Sequence, residues 1–212
     1  MKWSAKSQQR PRLGWPPETF DDDAPATLSV GLQERSDLDK AIAVKLRGGF
    51  MFANEKEALQ ALRGNDRVLA ANAEAFLWRN WCQSGHAEAD RVFRAGVDTM
   101  QKGELELAES LFGKVIEMMP QFAEGWNKRA TVRYMRKNFT GSIGDCQETL
   151  TRNANHFGAS SGQGLCHMSL GEYREAAICF RRALEIHPHL SAVQQNLALA
   201  QSQILNNDSY LH

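Results

Sequence analysis

Residues 108–120 read AESLFGKVIEMMP, and residues 176–188 read AAICFRRALEIHP. The two stretches lie 68 residues apart, twice 34, and align Ala108 with Ala176, Phe112 with Phe180, Val115 with Ala183 and Pro120 with Pro188. At the same phase, Gly96 matches Gly164 and Gly103 matches Gly171. Between them, Trp126, Ala130, Ser142, Cys146 and Thr149 fill the same slots, and Ala154 stands where the other units have proline. A period of this length, with apolar residues at helical spacing inside it, marks stacked helix pairs.

The residue types suit that arrangement. Gly96, Ala130 and Gly164 are small enough to let a second helix approach closely, and Ala108, Ser142 and Ala176 answer them from that helix. Phe112, Cys146 and Phe180 fill the space between. Proline cannot continue a helix, so it stops the second one and sets the turn to the next unit. A single pair cannot bury its apolar face alone, so pairs stack and need caps. No alternating run rich in Val, Ile and Thr argues for a strand.

The pattern, with the opening Ala123-Glu124-Gly125-Trp126-Asn127-Lys128-Arg129-Ala130, resembles the tetratricopeptide-repeat (TPR) family. The resemblance implies an all-α, right-handed α-solenoid of three helix-turn-helix repeats, at 89–122, 123–156 and 157–190, with N- and C-terminal capping helices. It covers 102 of the 212 residues. Residues 1–35 hold four of the six prolines and Asp21-Asp22-Asp23, and are expected to form a disordered arm. Residues 36–65 read as short helices and linker. Ser36 with Asp39 opens one, Asn54 with Glu57 opens another, and Gly64-Asn65 closes it. Residues 66–88 read as the N-terminal cap, with an apolar face of Leu69, Ala73, Phe76, Leu77 and Trp81. Residues 191–212 read as the C-terminal cap and tail, with Leu190, Val193, Leu197, Ala200 and Ile204 on one face.

Two departures from the family pattern predict weak points. The usual tyrosine slot holds Thr99, Arg133 and His167, and the usual leucine slot holds Ala95, Arg129 and Gln163, which implies looser packing between helices. The run from Gly158 to Gly164 contains three glycines, each costing about 1 kcal/mol against alanine in a helix interior.

Chemistry is sparse. No phosphate loop, dinucleotide-binding glycine pattern, His-Glu-x-x-His or Gly-x-Ser-x-Gly is present. No catalytic residue, metal or cofactor is expected, and the chain reads as non-enzymatic. Cys82, Cys146, Cys166 and Cys179 have no C-x-x-C spacing, and adjacent Cys166 and His167 diverge by about 100° on a helix. The thiols suit a reducing, intracellular compartment. That is the cytoplasm, or a chloroplast or mitochondrion reached through the acid-poor first 17 residues.

Binding is the expected role, as a scaffold, adaptor or assembly factor. The resemblance implies a groove lined by the first helix of each repeat, receiving a peptide or helix. The corresponding residues are Asp90, Phe93, Val97 and Met100, then Asn127, Thr131, Tyr134 and Met135, then Gly158, Ser161, Leu165 and Met168. Phe93, Val97, Tyr134 and Leu165 would be its apolar anchors. Family members that clamp a chaperone's terminal carboxylate use Lys, Asn, Asn, Lys and Arg. Here those slots hold Phe93, Val97, Lys128, Gly158 and Gly162, so that role is not expected. The alternative partner is RNA or an acidic surface, met by the basic stripe Lys128, Arg129, Arg133, Arg136 and Lys137. The competing reading is a solvated face with Arg129 tucked into packing. Lys plus Arg and Asp plus Glu balance at 25 each, yet the first repeat carries −2 and the second +3.

Overall fold

The computed structural model describes residues 52–209. Among these residues there are nine helices and no strand. The chain divides into two compact units, and the described residues 52–80 and 81–209 fall one in each. The helix expected after Ser36 lies outside the described residues.

The smaller unit contains α1 (Glu55–Leu62) and α2 (Arg67–Trp81), the last residue of which falls in the larger unit. Asn54 Oδ1 accepts from the Glu57 N–H, and the Glu57 carboxylate accepts from the Ala53 N–H at 2.7 Å. That reciprocal cap satisfies two donors that a helix start leaves open. Asp66 caps α2 in the same way, accepting from the N–H groups of Val68 and Leu69. Phe52 meets Phe76 edge to face at 5.6 Å. The buried residues of α2 are Ala70, Ala73, Phe76, Leu77 and Trp78. Leu69 is exposed instead, at the edge of the buried stripe that runs 70, 73, 77.

The larger unit is the repeat stack. The first pair is α3 (Ala87–Gln101) and α4 (Leu105–Met118), the second α5 (Ala123–Met135) and α6 (Phe139–Arg152), and the third α7 (Phe157–Leu170) and α8 (Tyr173–Ile186). A final helix, α9 (Ser191–Ser209), packs against α8 and sends Val193 and Ala200 into the core around Leu165 and Phe180. A Cβ at Gly96 would lie 2.8 Å from Phe112, and one at Gly164 would lie 2.5 Å from Phe180. The glycines thus make room for the ring between paired helices. In the middle repeat Ser142 Oγ donates to the Ala130 carbonyl at 2.7 Å, and the Cys166 thiol donates to Ser142 Oγ at 3.2 Å.

The turns keep the same period. Gly103 and Gly171 have φ of +79° and +78°, and Lys137, halfway between them, has φ of +63°. The middle repeat therefore holds an ordinary side chain in the left-handed region that favours glycine.

Polar groups occupy the predicted weak slots, and in the second and third repeats they link to the second helix or its cap. Thr99 Oγ1 donates to the Ala95 carbonyl at 2.7 Å. Arg129 and Arg133 both reach Asp145, and His167 pairs with Glu172 at 2.6 Å. The glycine-rich start of α7 is buried from Phe157 through Gly162, so its neighbours hold it helical.

Candidate functional site

The first helices α3, α5 and α7 line one face of the repeat stack, and the N-terminal half of α5 puts a charge inside it. Glu124 is fully buried. Its carboxylate takes Asn127 Nδ2–H at 3.1 Å, Lys128 Nζ at 3.4 Å and His156 Nε2 at 2.8 Å. His156 Nδ1 accepts from the Ala159 N–H, capping α7. That bond leaves Nε2 to donate to Glu124, and Lys128 places a positive charge beside the same carboxylate. Burial pushes the Glu124 carboxyl up, but Lys128, His156 and Asn127 outweigh it and hold its pKa below the usual value. The Oδ1 of Asn127 and the hydroxyls of Ser160 and Ser161 are buried and make no hydrogen bond among the described residues.

A short segment ahead of α3 crosses this face. The Trp81 ring stacks on His156 at 4.7 Å and 23°, and leans on Phe157 at 5.4 Å. Cys82 packs against the cluster of Phe93, Phe112 and Phe122. Burial pushes its thiol pKa up strongly, Glu124 adds to the rise and Lys128 opposes it. Ser84 donates to Asp90 Oδ1 through its N–H at 2.8 Å and its hydroxyl at 2.6 Å. His86 Nδ1 then caps α3. Residue 81 thus meets the start of α7, residue 82 the first-repeat core, and residue 84 α3. The expected helix through residue 88 ends at Trp81, and the chain crosses the first helices before α3 begins.

The predicted groove residues separate into two sets. Phe93, Asn127, Ser161 and Leu165 are buried, with Phe93 edge-on to Phe112 and Phe122. The anchors assigned to Phe93 and Leu165 are therefore core residues, and Asn127 belongs to the Glu124 network. Helical spacing places them on the correct helices but carries no account of what packs above them. Val97, Met100, Thr131, Tyr134 and Met168 are half-buried, and Met135 is 46% exposed. These belong to the C-terminal halves of α3, α5 and α7. Tyr134 packs against the third-repeat core and meets Phe139 at 5.6 Å.

The basic stripe is occupied from within. Arg129 holds Asp145 with two hydrogen bonds at 2.9 and 2.8 Å. Arg133 reaches Asp145 at 2.9 Å and Glu109 at 2.8 Å. Arg136 pairs with Glu106 at 3.2 Å and with Glu109. Lys128 is committed to Glu124. Burial raises the Glu109 carboxyl, and Arg133 and Arg136 more than reverse that, so its pKa lies below the usual range. The opposite charges of the first two repeats are thus spent on each other. Lys137 is exposed at the left-handed turn. Arg129 and Arg152 also lie over the Trp126 ring, at 4.9 and 4.6 Å. Sequence reasoning passed over Asp145. The available signal was a lone acid on the inward side of α6, beside Ser142, Cys146 and Thr149, where an unpaired charge is too costly to bury.

The family model for the tetratricopeptide repeat matches residues 159–190. Residues 159–190 are thus a tetratricopeptide repeat, and the repeat stack has the tetratricopeptide-repeat fold. A TPR repeat-containing protein of Rhizobium etli is 24% identical over 70% of this chain and 72% of its own length. The human DnaJ homolog subfamily C member 7 is 29% identical over 53% of this chain, which spans 23% of that protein. Among solved structures, the first TPR of Spaghetti (RPAP3) bound to an HSP90 peptide superposes with a TM-score of 0.55. It is 20% identical and covers 55% of this chain and 93% of that one. The TPR2B domain of yeast Sti1, in its complex with an Hsp70 peptide, gives 0.53 at 21% identity, covering 56% of this chain and 99% of that one. These structures share the TPR fold with the repeat stack. Among the described residues, no cluster of His, Cys, Asp and Glu could hold a metal ion. No helix there is long and apolar enough to cross a membrane.

Proposed function

We propose that this TPR protein is a non-enzymatic interaction module, a scaffold, adaptor or assembly factor, which receives a peptide or helix on the C-terminal halves of α3, α5 and α7. The observation that carries the reading is the row of Val97, Met100, Tyr134, Met135 and Met168. These apolar side chains keep part of their surface open on neighbouring first helices, while the N-terminal halves of α5 and α7 are largely buried. Open apolar surface of this kind marks interaction sites. The TPR structures named above hold HSP90 and Hsp70 peptides, which supports a peptide as the class of partner. The clamp slots are filled by Phe93, Val97, Lys128, Gly158 and Gly162, and Lys128 is tied to Glu124, so a chaperone carboxylate is not the expected cargo. The reducing-compartment reading stands beside this one, supported by four cysteines that are all free thiols. Affinity capture with the full chain tests the proposal. The partner should be lost when Tyr134→Glu and Met135→Glu are combined, with helicity unchanged. Full capture by that variant would refute the site.

A further inference from the structure

The segment Trp81–His86 treats the first-helix face as a bound chain would. It places an aromatic ring at the start of α7, a small side chain on the cluster of Phe93, Phe112 and Phe122, and two hydrogen bonds on α3 within four residues. The contacts reach from the first repeat to the start of the third, so one short strand spans several stacked helices. Beneath this half of the face lie Asn127 and Ser161, which occupy the same slot 34 residues apart. The Oδ1 of one and the hydroxyl of the other make no hydrogen bond among the described residues. Buried polar atoms of this kind are costly, and the main chain of an extended peptide supplies the missing partners.

We infer that Trp81–His86 is an internal occupant of the N-terminal half of the groove, and that a partner displaces it with an extended peptide whose aromatic side chain takes the place of Trp81 on His156 and Phe157. The inference deepens the interaction reading above and rests on it. An attached segment competes at a high effective concentration, so it holds the face closed with few contacts and yields to a longer ligand that makes more. The stacked ring selects for an aromatic, because the imidazole of His156 and the ring of Phe157 form a two-sided place for a flat side chain.

The test uses the full chain with Cys179→Ser, which leaves half-buried Cys82 as the thiol open to Ellman's reagent, since Cys146 and Cys166 are buried. Trp81→Ala should raise the rate of Cys82 modification at least tenfold with unchanged far-UV circular dichroism. Trp81→Phe, which keeps a ring, should hold the slow rate. A labelled peptide of residues 79–86 with Cys82→Ser should bind the Trp81→Ala chain at least tenfold more tightly than wild type. The same peptide with Trp81→Ala should not bind. An unchanged thiol rate in Trp81→Ala, or a fast one in Trp81→Phe, overturns the inference. Equal peptide binding to both chains, or binding that ignores the tryptophan, overturns it as well. The Tyr134→Glu, Met135→Glu capture does not touch residue 81, so its failure is read separately.

Discussion

Glu124 and His156, 32 residues apart, meet at 2.8 Å with neither side chain exposed. The contact joins the start of α5 to the cap of α7, so it ties the second repeat to the third. Glu124→Gln leaves Lys128 buried opposite a neutral amide, and breaking such a pair costs about 3 kcal/mol. Urea unfolding should show that loss at neutral pH. The pH dependence has a definite sign. The folded pKa of Glu124 lies below the usual carboxylate value near 4.5. The unfolded chain therefore binds its proton first, and the stability tied to this group is lost as pH falls from about 4.5 through the lower folded value. Glu124→Gln should lack that part of the acid slope.

The turn and helix glycines separate by what surrounds them. Lys137→Gly relieves a left-handed side chain and should stabilise the fold by about 0.5–1 kcal/mol, whereas Gly103→Ala and Gly171→Ala should destabilise it. Inside helices, Gly144→Ala meets nothing within 4 Å and should gain about 1 kcal/mol in propensity. Gly164→Ala drives a methyl into Phe180 and should lose about 1–3 kcal/mol to overpacking. Chemical denaturation of the four kinds of variant checks all the signs together.

The arginine stripe should act on stability and leave RNA alone. Asp145 lies nearly buried between Arg129 and Arg133. Asp145→Asn removes the charge both guanidinium groups share and should cost about 2 kcal/mol. Combining Arg133→Glu with Arg136→Glu sets new acids against Glu106 and Glu109, so the double variant should unfold at lower urea. Filter binding of the wild-type chain to single-stranded RNA at low salt should show no affinity that this variant abolishes. Salt-dependent binding lost in the variant would restore the stripe as an interface.

Two aromatic substitutions should behave differently although both residues sit on first helices. Phe93 is 5% exposed in the first-repeat core, so Phe93→Glu should unfold the stack, as its thermal melt will show. Tyr134 is half-buried, and Tyr134→Glu should keep the helical spectrum while weakening partner capture. A folded Phe93→Glu chain would contradict the core assignment.

What could be read from the sequence followed the period. Gly96 against Phe112 and Gly164 against Phe180 follow from spacing, because a small residue and a large one recurring 34 apart must face each other across each pair. The capping box at Asn54 and Glu57 is local and was equally plain. Side chains that act between repeats were harder. The link from Arg133 to Glu109 depends on how one helix pair is rotated on the next, which period alone does not specify. The path of Trp81–His86 was illegible for a simpler reason: it belongs to no repeat, so no slot assigns its neighbours.

The most direct measurement of the interaction claim is site-specific photocrosslinking in the full chain. A photoreactive residue at Met135, on the open half of the first-helix face, is compared with one at Ile178, which is 59% exposed on the second helix α8. A single partner species crosslinked from position 135 and absent from position 178 is the predicted result. The same species from both positions, or from position 178 alone, would contradict a partner seated on α3, α5 and α7.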